Sequence, residues 1–336
     1  MDDHDRPMSS KSPVRKDSGL RRFLSASAGL LPPLSGFEIT RLSWARKIAS
    51  FEDLPGGFQP AVMELLADSQ DFPYSILTPT FEGFLRRENS KLIFNLGSRL
   101  HVLEDNRASI IHIIFPVESI HAIEFGTILL KAWMKLRGVD STGQFASTTL
   151  HFNTVTDHYF QPFVNAVRSH DQLLSSTDLN EEQRKFASLA SQHFKFMNYA
   201  RRSLLPGERV VQFALQPEIR VSRLSFWGRS VISRLTCPAH ILILTDNELI
   251  WIRDDEGSKR WRDNTRYGGI WTYLPLSKIQ ALQIRASEDD LIHLILRLPT
   301  DDQILVPFAT GRRTELNEFS RLMREYAPHI GQTSDE

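Results

Sequence analysis

Short runs of strand-forming residues, separated by turn-forming pairs, dominate the chain from Tyr74 onward. Many short strands at this spacing are typical of a β-sandwich or β-barrel. The runs predicted as strands are Tyr74 to Leu77, Gly83 to Arg86, Lys91 to Leu96, Arg99 to Leu103, Ile110 to Phe115, Ile120 to Phe125, Leu129 to Leu136 and Thr148 to Phe152, followed by Arg209 to Leu215, His240 to Thr245, Glu248 to Arg253, Trp271 to Leu274, Ile279 to Arg285, Leu291 to Leu298 and Ile304 to Phe308.

Other stretches repeat apolar residues at three- and four-residue intervals, which predicts helices. One such helix begins near the cap candidate Asp157, and another closes the chain from Thr314 to Tyr326. The clearest is the stretch from 179 to 203, which lies between the two groups of strands. The pattern therefore predicts an α+β chain that is mainly β, with a long helix joining two strand-rich halves.

The two halves repeat one another in order. The segment from Phe115 to Ile123 recurs as Leu274 to Leu282, with Pro116 and Pro275 at the same place. A proline cannot donate to a β-ladder, so each marks where one strand stops and another begins. Two further matches keep the same order, residues 99–103 with 248–252 and residues 163–168 with 319–324. An internal repeat of this kind predicts two modules of similar plan.

With this plan the chain resembles bacterial pleckstrin-homology-like domains, arranged in tandem. Residues 245–249 (TDNEL) fit the Thr-Asp hairpin of that family, whereas 96–100 (LGSRL) stand in its place in the first half. The resemblance implies, for each module, a partly open β-barrel capped by a C-terminal helix, and it implies no single ligand. The predicted organisation is a disordered tail 1–35, a partly helical lead-in 36–73, a first module 74–170, a connecting helix 171–203, a second module 204–328 and a disordered tail 329–336.

Composition narrows the class of protein further. The formal net charge is +0, which argues against nucleic acid as a partner, because phosphates demand a basic excess. The one cysteine, Cys237, allows no intramolecular disulfide and reads as a small core residue. No stretch approaches the ~20 apolar residues that span a bilayer. We expect a cytoplasmic location, with attachment to the periphery of a membrane as the alternative.

The sequence carries no recognised catalytic motif, such as a nucleophile elbow, a zinc-protease helix or a phosphate-binding glycine loop. We therefore predict no catalytic residues, no cofactor and no metal. Among the eleven histidines, the pairs His112 with His121 and His151 with His158 are placed where they could approach each other. Ordinary surface or strand positions explain them better than a metal or catalytic role does.

One constellation suggests binding. Between the first two predicted strands of the second module, arginines surround a Phe-Trp tip without any acidic residue. Aromatic rings suit the depth of lipid head groups and guanidinium groups pair with phosphates, so this loop fits an anionic membrane surface. A protein partner, or packing of the tip on the barrel or the first module, are the other interpretations. The candidate residues are Arg220, Arg223, Phe226, Trp227, Arg229 and Arg234.

The function predicted from the sequence is a non-enzymatic binding or scaffolding role. A peripheral membrane protein that binds anionic lipid through the Phe226–Trp227 loop is the alternative. An enzyme of unrecognised type ranks third, because it requires a cluster of perturbed polar groups in a pocket that no motif in the sequence indicates.

Overall fold

The computed structural model describes residues 42–66, 71–82, 87–169, 178–226, 229–255, 268–287 and 290–332. The predicted tail 1–35, the whole predicted strand Gly83 to Arg86 and residues 170–177 lie outside these ranges. Residues 43–336 form one unit, so the two predicted modules belong to the same body.

The first half builds a five-stranded antiparallel sheet in the order β1-β2-β5-β6-β7, together with a small β3–β4 hairpin. The lead-in residues supply its edge strand β1 and a short helix, α1, at Gln59–Leu65, where helical spacing of Val62 and Leu65 predicted one. The strands are β1 Arg46–Ile48, β2 Ser75–Leu77, β3 Phe81–Glu82, β4 Arg87–Glu88, β5 Lys91–Leu96, β6 Arg99–Asp105 and β7 Ile110–Pro116.

A seven-stranded antiparallel sheet contains strands of both modules in the order β10-β9-β8-β16-β15-β14-β11. Its centre is the pairing of β8 with β16, in which Trp271 stands opposite Phe125. The strands from the first module are β8 Ile120–Ile128, β9 Lys131–Val139 and β10 Phe145–Asn153, and those from the second are β11 Val210–Gln216, β14 His240–Thr245, β15 Glu248–Arg253 and β16 Gly269–Pro275.

The rest of the second module forms a sheet in the order β19-β18-β17-β20 and a separate two-stranded sheet, β12-β13. These strands are β12 Ile219–Phe226, β13 Arg229–Cys237, β17 Ala281–Ala286, β18 Leu291–Arg297, β19 Gln303–Ala309 and β20 Gly331–Gln332. The remaining helices are α2 Gln161–Arg168, α3 Leu179–Arg184, α4 Ala190–Ser203 and α5 Arg313–Tyr326.

The prediction of a mainly β, α+β chain is confirmed, but three details differ. The predicted helix over 179–203 is interrupted by a 3-10 segment, Lys185–Leu189, and by non-helical backbone at His193. The predicted C-terminal tail is ordered at its start, because Ile330 is buried and β20 pairs in parallel with β17. The two modules were predicted to be joined by the connecting helix, but they also contact each other directly through the β8–β16 ladder.

A single hydrophobic core runs across the junction of the modules. It contains Phe152 and Phe163 from the first module, Ile250 from the second, and Phe186 and Phe196 from the connecting helices. Burial of so many large apolar side chains at one interface stabilises the pair as one body. A second core lies between β17–β19 and α5, whose Leu316, Phe319 and Met323 are buried as their spacing predicted.

The turns that carry the two matched prolines have nearly the same geometry. Pro116 has φ −55° and ψ 131°, and Pro275 has φ −54° and ψ 131°. Each precedes a 3-10 turn whose first amide donates a 2.9 Å hydrogen bond to the preceding hairpin, Val117 N to Ser98 O and Leu276 N to Asn247 O. The sequence repeat therefore corresponds to a repeated local structure at this point.

Candidate functional site

The predicted Arg-rich loop is a long β-hairpin, which we call the basic hairpin (residues 219–237). Its strands β12 and β13 pair with each other and join neither large sheet. The prediction of a loop here was wrong, since both segments are strands. The sequence did not indicate them because arginines and serines interrupt the apolar alternation that is typical of a strand. The missed signal was the pair Trp227-Gly228 between two runs of β-formers, since loops of two residues with glycine are typical of hairpins.

The register of the basic hairpin brings some of the predicted residues together. Phe226 pairs with Arg229 at the end of the ladder, and Val221 pairs with Arg234. Arg223 lies at a register shift between the Ser222 and Leu224 pairs, where two residues of one strand oppose one of the other. Hairpin pairing therefore places Phe226 and Arg229 side by side on adjacent strands.

Of the six predicted site residues, Arg220 is the one whose side chain is described. It is exposed, and its guanidinium forms an ion pair with Glu218 just outside the hairpin. Trp227 and the side chains of Arg223, Phe226, Arg229 and Arg234 lie outside the described part, so the exposure of the Phe-Trp tip remains a prediction. Residues 219–237 contain four arginines and no acidic residue, a charge of +4.

The base of the basic hairpin is buried in the second module. Cys237 is 0% exposed and its thiol lies 3.6 Å from the Pro307 carbonyl oxygen, in agreement with its predicted core position. His240 is also buried, and its Nδ1 lies 3.1 Å from the Pro238 carbonyl oxygen. Burial lowers the pKa of His240 to about 4, so the ring is neutral at neutral pH. The base of the basic hairpin is therefore fixed in the core of the second module.

A buried polar group, which we call the junction cluster, joins the modules: Arg168, Glu208, Glu248 and Tyr273. Arg168 of α2 donates from Nε to Glu248 Oε1 at 3.0 Å and from Nη2 to the Ser203 carbonyl oxygen at 2.6 Å. Its guanidinium lies 4.0 Å from the centre of the Tyr273 ring. Burial of such a cation is tolerated because the guanidinium donates to a carboxylate and to a carbonyl oxygen and also faces an aromatic ring.

Glu208 is the second carboxyl group of the junction cluster. Its Oε2 accepts a 2.6 Å hydrogen bond from Leu205 N and lies 3.5 Å from Arg168 Nη2. Burial, and then the charge of Glu248, raise the pKa of Glu208 to about 9. One cation thus faces two carboxyl groups, and Glu208 is protonated at neutral pH. Burial likewise raises the pKa of Tyr273 to about 12.

A polar cleft of about 290 Å³ opens in the first module between the five-stranded sheet and β10. On its wall, Lys91 Nζ lies 3.0 Å from Glu104 Oε2 and 3.1 Å from Thr148 Oγ1. Burial acts to raise the pKa of Glu104, but hydrogen bonds from Asn89 and Lys91 outweigh it and the pKa is lowered. Glu104 is therefore ionised and paired at neutral pH.

The histidines make contacts other than those the sequence suggested. His112 Nε2 lies 3.1 Å from His101 Nδ1, and His101 stacks on Phe94 with ring centres 5.0 Å apart. His151 Nε2 lies 3.4 Å from Glu88 Oε1, at the mouth of the polar cleft. The partners differ from His121 and His158 because strand pairing brings β6 beside β7, and β10 near β4.

No protein-family model matches this chain. No curated protein matches it either. Within the described ranges, no helix has the length and apolar character needed to cross a membrane. The same ranges contain no cluster of three or more His, Cys, Asp or Glu side chains arranged to hold a metal ion.

Proposed function

We propose that this chain is a non-enzymatic binding or scaffolding protein in which two pleckstrin-homology-like modules form one body and the basic hairpin is the principal contact. The observation that carries the proposal is the separate two-stranded sheet β12-β13, which carries four arginines and no acidic residue. A basic ribbon that belongs to neither large sheet is suited to contact a negatively charged partner, because clustered like charges attract the opposite charge.

The order of elements supports the resemblance to pleckstrin-homology-like domains. In the first module, a four-strand group β2-β5-β6-β7 is followed by β8, β9, β10 and the helix α2. In the second, β11-β14-β15-β16 is followed by β17, β18, β19 and the helix α5. Each order includes seven strands and a terminal helix, as the family implies, besides β1 and the β3–β4 pair in the first module and the basic hairpin and β20 in the second.

The non-enzymatic part of the proposal rests on the junction cluster. Perturbed pKa values often mark catalytic sites. Here Glu208, a carboxyl group with a raised pKa, accepts a hydrogen bond from the Leu205 amide and faces a cation already paired with Glu248. Its side chain and that of Glu248 are each 2% exposed. Such a closed set of contacts supports a structural role in holding the modules together.

Anionic lipid is the second candidate ligand. The pairing of Phe226 with Arg229 favours it, since an aromatic ring and a guanidinium on adjacent strands can meet the head-group region and its phosphates together. Attraction of basic residues to an anionic leaflet amounts to about 1 kcal/mol per residue near the surface. The four arginines of the hairpin would therefore give salt-sensitive binding.

Vesicle co-sedimentation tests the lipid candidate. The native chain is compared, on vesicles of neutral phosphatidylcholine and on vesicles that also contain phosphatidylserine, with the triple variant Phe226→Ala, Trp227→Ala, Arg229→Ala. A matched control carries Phe194→Ala and Arg321→Ala, which remove an aromatic residue and an arginine that are 63% and 60% exposed elsewhere. Binding that needs phosphatidylserine and is lost in the hairpin variant but not in the control supports the lipid candidate.

Absence of native binding to either vesicle rejects lipid and leaves a protein partner. That partner is sought by photo-crosslinking from position 226 in the source cell. Capture that persists after Arg223, Arg229 and Arg234 are all changed to alanine would contradict a contact through the basic hairpin.

A further inference from the structure

The two edge strands of the seven-stranded sheet, β11 and β10, differ in the hydrogen bonding of their outer backbone groups. At β11, the Val210 amide donates to Glu182 Oε2 at 2.6 Å and the Val210 carbonyl accepts from Lys185 Nζ at 3.0 Å. Side chains of the connecting helices therefore occupy the backbone groups at one end of that edge. At β10, the main-chain groups of Ser147, Thr149 and His151 meet no hydrogen-bonding partner among the described residues.

The register shows which groups of β10 lie on the open edge. Asp140 N donates to Gln144 O, and Thr154 N donates to Leu130 O, so both pairs that bracket the β9–β10 ladder are hydrogen-bonded pairs. Hydrogen-bonded and non-hydrogen-bonded pairs alternate in an antiparallel ladder. Thr148 and Leu150 consequently bond to β9, whereas the N–H and C=O groups of residues 147, 149 and 151 point to the other side.

Strand β10 itself lacks the sequence features that usually prevent strand addition. Protected edges carry lysine, proline or a bulge, or they are short. Strand β10 is nine residues long, has the sequence FASTTLHFN and pairs with β9 without a register shift. The edge strand of the neighbouring sheet, β19, contains Pro307, and its Ala309 amide is occupied by Gln216 Oε1 at 2.9 Å.

The polar cleft lies along the open edge. Ser147, Thr149 and His151 line it on one side, and Glu88, Lys91 and Ile113 line it on the other. Lys91 is paired with Glu104, and the pKa of His151 is lowered by burial, so that ring is neutral at neutral pH. Glu88 therefore leaves the cleft with a local negative charge that an incoming basic side chain would complement.

We propose that β10 and the polar cleft bind an extended segment of a partner protein as an added β-strand, with a lysine or arginine of that segment directed at Glu88. Three outward residues at two-residue spacing offer alternating donors and acceptors over about 14 Å, which suits a peptide of roughly five residues. This site belongs to the first module and is independent of the basic hairpin, so either proposal can fail alone.

The probe is a set of linear peptides selected from a random-sequence displayed library on the full chain, then titrated by fluorescence anisotropy. Thr149→Pro removes the central outward amide, and Thr149→Val is the matched control that keeps it. Proline is tolerated where the N–H faces away from the ladder, so the fold is expected to survive. We expect Thr149→Pro to weaken binding at least about tenfold, Thr149→Val to have little effect, and Glu88→Gln to weaken basic peptides selectively.

Two measurements keep the test independent of the fold of the variants. N-methylation of the peptide at alternate positions should abolish binding for one set of positions and spare the other, because half of its amides face β10. Amide exchange at 147, 149 and 151 of the native chain should slow on binding. Failure to select any peptide, or selection of peptides indifferent to Thr149→Pro and to N-methylation, overturns the proposal. Dimerisation of the native chain that Thr149→Pro abolishes would instead assign the edge to a second copy.

Discussion

Arg168 and Glu248 lie 80 residues apart in the chain and form an ion pair whose side chains are 4% and 2% exposed. Arg168 ends the helix of the first module, and Glu248 begins β15 of the second. The pair stands beside the β8–β16 ladder and the shared core, so the modules are tied by charge, by backbone pairing and by apolar burial. Separate movement of the modules would expose all three.

Removal of the positive charge of Arg168 should destabilise the whole chain. Arg168→Met leaves the Glu248 carboxylate buried without its partner, which costs about 3–5 kcal/mol. The measurement is the free energy of unfolding in urea. The double variant Arg168→Met, Glu248→Gln should recover part of the loss, and Arg321→Met, which removes an exposed ion pair, should change little. A loss no larger for Arg168 than for Arg321 would show that the junction cluster contributes nothing to stability.

Glu208 should make stability fall as the pH rises. The pKa of Glu208 in the folded chain, about 9, lies above the ordinary value of 4.5. The contribution of Glu208 to the free energy of unfolding is therefore complete below pH 4.5 and is lost as the pH rises from there to about 9. Glu208→Gln keeps the hydrogen bonds of the neutral form and should remove this loss. We expect the stability of the variant relative to the native chain to grow by roughly 2–4 kcal/mol from acidic to alkaline pH.

The check is urea unfolding across that pH range, with Glu181→Gln as the control because Glu181 is an exposed glutamate close in sequence to the connecting helices. Parallel pH profiles for the native chain and Glu208→Gln would contradict protonation of Glu208 in the folded state.

His101 should make stability fall as the pH falls, which is the opposite of the effect of Glu208. Burial, and then the charges of His112 and Arg99, lower its pKa from 6.5 to about 4. The unfolded chain therefore takes up a proton before the folded chain does, and stability is lost as the pH falls through this window. His101→Phe, which can still stack on Phe94, should flatten the acid limb by about 1–2 kcal/mol.

Histidine resonances followed by NMR during acid titration give a direct measurement of the His101 pKa. An ordinary pKa for His101 would contradict the prediction.

Gly268 should be required for the joint between the modules. It has φ +101°, and an added Cβ would lie 1.9 Å from the Thr127 carbonyl oxygen on the neighbouring strand β8. Gly268→Ala should therefore strain the end of the β8–β16 ladder and lower the free energy of unfolding by roughly 2–4 kcal/mol. Gly311→Ala is the control, because nothing lies within 4 Å of its added Cβ. Equal thermal stability of the two variants would contradict this account.

Several elements were predictable from the sequence because their signals are local. Strands β5, β14 and β15 begin and end where they were predicted, since turn residues such as Gly97-Ser98 and Asp246-Asn247 separate runs of β-formers. The buried face of α5 followed from its three- and four-residue spacing. The matched prolines also predicted two equivalent turns, which the structure contains.

The candidate site was located only in part. The sequence identified the arginines and the Phe-Trp pair but not the hairpin that carries them, because Arg223 and the serines break the two-residue period of a strand. The polar cleft and the open edge of β10 had no signal of their own. Ser147 and Thr149 are ordinary strand residues, and their outward amides matter only because no described strand lies beside them.

The sequence alone determined the order of most strands and helices and the exact limits of β5, β14 and β15, because helix and strand periods depend on residues only a few positions apart. Tertiary structure alone decided which strands lie side by side across the junction, that Arg168 meets Glu248, and which sheet edge stays open. Those outcomes depend on the packing of faces contributed by residues far apart in the chain, and no local pattern encodes such a choice.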